Sequence, residues 1–233
     1  MGTGALSKAG LARMADVMAG HVETGGIPGL AWLVARRGEV LSGVAGTMLA
    51  GGGGGPVARD TIFRISSMTK PVTAVATLVL VEECRLRLDD PVDPWLPELA
   101  DRRVVADVNG PLTETVPAVR PLSVRDLLTF RMGLGGDFTG TVRQPAMEEL
   151  AKRDVGAGPP APALPPPPDE WMARIGSVPL EYQPGERWLY HTGADVLGVL
   201  IARASGSTFP DFLAERILEP LGMVDTAFSV PAG

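Results

Sequence analysis

The sequence predicts an α+β chain dominated by helices, and three observations lead there. Residues 7–24 carry Leu11, Met14, Val17, Met18 and Val22 on one helical face. Leu30–Arg36 and Glu39–Val44 read as two strands joined at Arg37-Gly38. Beyond residue 60 the apolar spacing is helical, most clearly in the run Val72–Val81.

Each element has local chemistry behind it. Gly25-Gly26-Ile27-Pro28-Gly29 stops the first helix, since glycine and proline do not continue one. Gly51–Gly55 reads as a plain flexible linker, because no Gly-Lys-Ser/Thr follows to make a phosphate cradle. Thr61–Ile65 is extended. The helix after it is apolar on all faces, runs to about Arg87, and is expected in the core with Cys84 as a buried, inert thiol. Residues 95–122 look irregular. Ser123 and Asp126 form the frame of a capping box ahead of Leu127-Leu128. The segment 156–168 is proline-rich and reads as a stiff surface loop. Helices are expected at 169–176, about 193–205 up to Gly206, and about 208–218.

Composition excludes some functions. Apolar content of 45% with 21% charged residues belongs to a globular protein. A formal charge of −6 with no basic cluster argues against nucleic-acid binding. One cysteine permits no internal disulfide, and His21 and His191 are not spaced as metal ligands, so no metal or cofactor is expected. No basic segment leads into an apolar stretch at the N-terminus, and no apolar run reaches membrane-spanning length. A cytoplasmic protein without membrane partners is the expectation.

The chemistry centres on Ser67-Met68-Thr69-Lys70. Residues i and i+3 share a helix face, so the Lys70 amine reaches the Ser67 hydroxyl without help from the rest of the fold. A helix N-terminus also presents free N–H groups and a positive dipole end to an oxygen that must become negative. Taken alone, the same four residues read equally well as a polar helix start, with Ser66 or Ser67 as cap and Lys70 in solvent.

Other segments narrow that choice. Ile27-Pro28-Gly29 precedes the hairpin. Leu86-Arg87-Leu88-Asp89-Asp90-Pro91-Val92, Val124-Arg125-Asp126-Leu127-Leu128-Thr129, Pro184-Gly185 before Tyr190, Asp195-Val196-Leu197-Gly198 and Pro220-Leu221-Gly222-Met223 follow in order. In this order the chain resembles the β-lactamase-related serine hydrolases: class C β-lactamases, their carboxylesterase relatives and D-alanyl-D-alanine carboxypeptidases. The resemblance covers about residues 10–230. It implies a serine β-lactamase/transpeptidase-like fold, with residues 7–230 as one domain: a helix and hairpin at 7–50 and a helical lobe at 60–225.

The resemblance also implies roles. Ser67 is the nucleophile to be acylated, Lys70 holds or passes its proton, and Tyr190 acts as general base and then as proton donor to the leaving group. A phenol beside an ammonium has a lowered pKa, which suits that role. Thr192 stands where many relatives carry an asparagine that contacts the substrate amide. This leans the reading toward small esters, with Thr192 and His191 in the substrate and oxyanion vicinity. His191 is a further candidate base, although adjacency to Tyr190 does not by itself place it toward Ser67. The alternatives are a β-lactamase or D-Ala-D-Ala peptidase acting on an amide, or an inactive copy that only binds. Relatives continue past the Pro-Leu-Gly-Met segment with further strands and a third motif, so an incomplete sheet is expected here. Its open edge would favour self-association.

Overall fold

The computed structural model describes residues 6–140, 143–155 and 165–229. It has two units, which divide between Arg64 and Ile65.

In the first unit, α1 (Lys8–Glu23) opens on Ser7, whose hydroxyl accepts from the Gly10 N–H. Two antiparallel strands follow, β1 (Gly29–Arg36) and β2 (Glu39–Gly46), in register from Gly29 opposite Gly46 to Arg36 opposite Glu39. Arg37 and Gly38 both have positive φ, 50° and 82°, the geometry that matches a two-residue turn to the twist of its strands. The glycine run is an ordered reverse turn rather than a plain linker. Met48 N–H donates to the Gly55 carbonyl and Leu49 N–H to that of Gly53, at 3.0 and 3.1 Å. The strongly positive φ of Gly51, Gly52, Gly54 and Gly55 makes this closure possible.

The second unit holds the apolar core. A short 3₁₀ turn (Ser66–Met68) leads into α2 (Thr69–Glu82). This helix buries Ala76 and Leu80 but leaves Val75 and Leu78 about half exposed, at 50% and 48%. It is therefore a one-sided core helix, not the all-round buried one its composition predicts. It also ends five residues before Arg87: Cys84, at φ 57°, is past the cap and exposed. The expected buried thiol is thus a surface thiol.

The region read as irregular contains a second small hairpin, β3 (Arg103–Val105) and β4 (Thr115–Pro117). The capping box forms as expected ahead of α3 (Val124–Leu128): Ser123 and Asp126 exchange side-chain and backbone hydrogen bonds. Arg120 then clamps the same Asp126 carboxylate with both guanidinium nitrogens, at 2.5 and 2.8 Å. An unforeseen α4 (Pro145–Ala151) follows, then α5 (Pro168–Gly176). The proline-rich segment expected at 156–168 falls, for 156–164, outside the described residues. The last carbonyls of α5 are met by buried Arg102, which donates to Ile175 and Gly176 and to Val178 beyond the helix. Burial holds that guanidinium down to about 10.

Helix α6 (Thr192–Ser205) is the centre of this unit, buried at nine positions and packed on α2 and α3. Gly206, at φ 78°, ends it in the left-handed conformation. Helix α7 (Phe209–Leu213) packs on α6 and continues as one wider turn to Leu218. Among the described residues, no helix is long and apolar enough to cross a membrane.

One buried charge gives a testable consequence. Glu181 is almost fully buried, and its Oε1 accepts from the Ala146 and Met147 N–H groups at 3.0 and 3.3 Å. Burial pushes its carboxyl up to about 7. Below the ordinary carboxyl value of about 4.3, folded and unfolded chains are both protonated and the contribution is complete. Between there and 7 only the unfolded chain gives up its proton, so stability falls with rising pH, by about 3–4 kcal/mol in all, and levels off above. Glu181→Gln keeps the Oε1 acceptor and should remove most of this slope. Urea midpoints at pH 5.5 and 8 test it, and an equally steep loss in the variant would refute the assignment.

Candidate active site

The site is assembled where the start of α2 meets the start of α6. Ser67 sits in the 3₁₀ turn, in the first turn of the helical segment, where backbone N–H groups have no intrahelical acceptor. The residue before it, Ser66, has φ 47°, so the chain turns sharply to lift Ser67 onto the surface. Lys70, one turn on, places its Nζ 3.2 Å from Ser67 Oγ. The i,i+3 relation is therefore realised as a direct hydrogen bond.

Tyr190 arrives from the other side. Its backbone is fixed by a two-bond bridge to Gly136: Tyr190 N–H donates to the Gly136 carbonyl at 2.9 Å, and Gly136 N–H returns a bond to that of Tyr190 at 2.8 Å. Leu189 N–H donates to the Phe130 carbonyl at 2.8 Å. The loop that accepts these bonds doubles back closely. A Cβ on Gly133, at φ 87°, would stand 2.1 Å from the Tyr182 carbonyl oxygen, so only glycine fits there.

The Tyr190 ring is stacked on Trp188 at 5.5 Å and flanked by Phe130 and Phe138 at 5.5 and 5.8 Å. Lys70 Nζ lies 4.6 Å from its centroid. A hydrogen bond with the Ser67 side chain, and next the charge of Lys70, hold the phenol below its ordinary value. Ser67, Lys70 and Tyr190 are thus in mutual contact although 120 residues separate the last two.

His191 occupies a place that sequence reasoning could not assign. Its φ and ψ are 83° and −72°, and Thr192 N–H donates to the Tyr190 carbonyl across it at 3.2 Å. This is a γ-turn of the rare positive-φ kind, strained for any residue with a side chain. The turn swings the imidazole toward the site: Nδ1 is 3.2 Å from Lys70 Nζ, and Nε2 is 3.3 Å from Asp195 Oδ2. Burial raises the Asp195 carboxyl while His191 and Lys70 pull it back; its side chain remains 48% exposed, which limits the rise. Asp195 was legible only as part of the Asp195-Val196-Leu197-Gly198 segment. Thr192, by contrast, is 3% exposed and turned into the protein.

Beside Tyr190 lies an open recess of about 620 Å³, lined by Asp137, Phe138, Thr139, Arg187, Trp188 and Tyr190. Three of the six are aromatic and the exposed wall is mainly apolar, which suits an apolar acyl or alkyl group. Among the described residues no cluster of His, Cys, Asp and Glu could hold a metal ion.

The beta-lactamase family model matches residues 14–233. Protein Rv1367c of Mycobacterium tuberculosis is 42% identical over 179 residues, covering 77% of this chain and 42% of that protein. Esterase EstB of Burkholderia gladioli is 35% identical over 201 residues, covering 84% of this chain and 46% of the esterase. The chain therefore spans less than half the length of these relatives. Among solved structures, EstCE1, described as a hydrolase with promiscuous acyltransferase activity, superposes with a TM-score of 0.75 at 25% identity over 91% of this chain and 51% of its own. A beta-lactamase/D-alanine carboxypeptidase from Yersinia pestis shares the fold, with a TM-score of 0.70 at 22% identity over 97% of this chain and 57% of its own.

The α3–α6 contact that supports Tyr190 and His191 is tight. A Cβ on Gly193 would lie 2.7 Å from the Leu127 carbonyl oxygen, which is backbone and cannot swing aside. Gly193→Ala should force the two helices apart, cost about 1–3 kcal/mol of stability, and misplace Tyr190 and His191. Thermal unfolding by circular dichroism measures the loss; an unchanged midpoint would mean the helices are not so closely held.

Proposed function

This chain belongs to the beta-lactamase family, and from that premise we propose that it is a serine acyl hydrolase acting on small esters. The observation that carries the reading is the contact triangle of Ser67, Lys70 and Tyr190 at a helix start. Ser67 Oγ attacks the ester carbonyl as its proton moves to the Tyr190 phenolate, which Lys70 keeps available. The Ser67 N–H faces the developing oxyanion from the first turn of the helical segment. As the tetrahedral intermediate collapses, Tyr190 returns the proton to the departing alcohol, leaving an acyl group on Ser67. Water, deprotonated by the same phenolate, releases the acid and restores the serine.

Three features favour an ester over an amide. Thr192 replaces the amide-binding asparagine and is buried. The recess exposes mainly apolar surface, with Phe138, Trp188 and Tyr190 beside the polar Asp137, Thr139 and Arg187. The relatives of 31 to 35% identity include proteins named as esterases, EstB and the lovastatin esterase of Penicillium rubens.

A fluorophosphonate probe tests the nucleophile. One probe per chain should attach, as read by intact mass, and Ser67→Ala should take none. Tyr190→Phe and Lys70→Met should each slow hydrolysis of p-nitrophenyl butyrate by about 10²-fold or more. Folded wild-type protein that takes no label would sink the proposal.

A further inference from the structure

The contacts of Lys70 run past Ser67 and Tyr190. Its Nζ lies 3.2 Å from Ser67 Oγ on one side and 3.2 Å from His191 Nδ1 on the other, and His191 Nε2 lies 3.3 Å from Asp195 Oδ2. The four side chains form a line from the nucleophile to a carboxylate. Proton inventory restricts what that line can be. A lysine ammonium has three donors and no acceptor, so the nitrogen facing it must offer a lone pair. Nδ1 is then bare, the imidazole is neutral, and its one proton is on Nε2. Nε2 faces the Asp195 carboxylate, which only accepts. With Lys70 charged, this assignment alone makes each contact a donor meeting an acceptor. An imidazolium would instead set a second cation 3.2 Å from the ammonium.

We propose that His191 and Asp195 are positioning residues for Lys70: Asp195 fixes the Nε2–H tautomer of His191, and the bare Nδ1 holds the Lys70 ammonium over Ser67. This role rests on the acyl-transfer reading of Ser67; the tautomer does not. The strain at His191 fits the role. A relaxed backbone at the start of α6 would carry the ring elsewhere, and the γ-turn brings it to the Lys70 ammonium. Among the described residues, the charged or titratable groups that face the imidazole are Lys70 from α2, Asp195 from α6 and the adjoining Tyr190 phenol, whose ring centroid is 6.1 Å away.

The consequence is a dependence on pH. Protonating His191 removes the acceptor that holds Lys70, so acylation of Ser67 should fall together with the deprotonated fraction of this one imidazole. Removing the Asp195 charge disfavours the imidazolium and should carry the acid limb to lower pH. Removing the Lys70 charge should move the imidazole titration the other way.

The chain has two histidines, so it can be read directly by long-range ¹H–¹⁵N spectroscopy of its imidazoles. Exposed His21 on α1 is the internal control. His191→Asn assigns the signals, asparagine being among the residues that best tolerate positive φ. At pH 8, His191 should show the Nε2–H tautomer. Its midpoint should fall in Asp195→Asn and rise in Lys70→Met while His21 stays put. The rate of fluorophosphonate labelling should drop about tenfold in His191→Asn, and its acid limb in Asp195→Asn should follow the shifted midpoint. An Nδ1–H tautomer, or a His191 titration as indifferent to both substitutions as that of His21, would overturn the proposal. Absence of labelling with the tautomer and shifts as expected would instead remove the esterase reading, and the positioning role with it, leaving the proton assignment in place.

Discussion

The packing of α2 against α6 is the constraint on which the site depends. Ser67 and Lys70 come from the start of one helix, and Tyr190, His191 and Asp195 from the approach to and first turn of the other. Neither group has chemistry alone. What joins them is apolar burial: Ala76 and Leu80 on one helix, Val196, Leu197, Leu200 and Ile201 on the other, all nearly or wholly out of water. Each buried aliphatic side chain contributes about 1.5–3 kcal/mol. Hydrogen bonds around 3.2 Å between exposed or half-buried groups contribute less, and they would not hold two helices together. The core fixes the distance between the helices, and the polar groups at their N-terminal ends inherit it.

The polar scaffold around Tyr190 works differently. Residues 187–190 form no extended sheet, yet their backbone is tied to Phe130 and Gly136, and Gly133 meets Glu181 and Tyr182 on the next segment. Asp126, capped by Ser123 and clamped by Arg120, anchors the start of α3, and Arg131 N–H donates to its carbonyl. Two hydrogen-bonded segments thus close around one loop. The aromatic cluster on Tyr190 then fills the space that the tight glycine turns leave, so its ring is set by packing as well as by hydrogen bonds.

Much of this was legible from residue order. The Ser67–Lys70 pair needs only i,i+3 geometry, and the capping box at Ser123 needs only two side chains of the right kind. The hairpin turn at Arg37-Gly38 and the stop at Gly206 are equally local. Errors arose where a local rule met a tertiary one. The apolar run after Lys70 looks buried on all faces, but composition does not say how many neighbours a helix will have, and Val75 and Leu78 remain open. The β3–β4 pairing spans three residues a side, too short to leave an alternating pattern. Thr192 and His191 were grouped by adjacency, yet the γ-turn sends one inward and the other toward Lys70, and no pattern of residue types encodes that rotation.

Backbone strain connects these observations. Seven non-glycine residues with positive φ are found among the described residues, and three of them, Ser66, Phe130 and His191, border the site. Each such conformation costs about 1–3 kcal/mol, which a merely structural segment would be expected to shed. Ser66 turns the chain so that Ser67 stands at the surface, with its hydroxyl toward Lys70. Phe130 bends the loop whose carbonyl receives Leu189, one residue before Tyr190. His191 rotates the entry to α6 so that imidazole and phenol reach Lys70 from successive positions. In an unstrained helix start, consecutive side chains diverge by about 100°, and Tyr190 and His191 could not both address one ammonium. The strain is therefore the physical requirement for seating two adjacent residues around a single cation, and the buried face of α6 supplies the rigidity that sustains it.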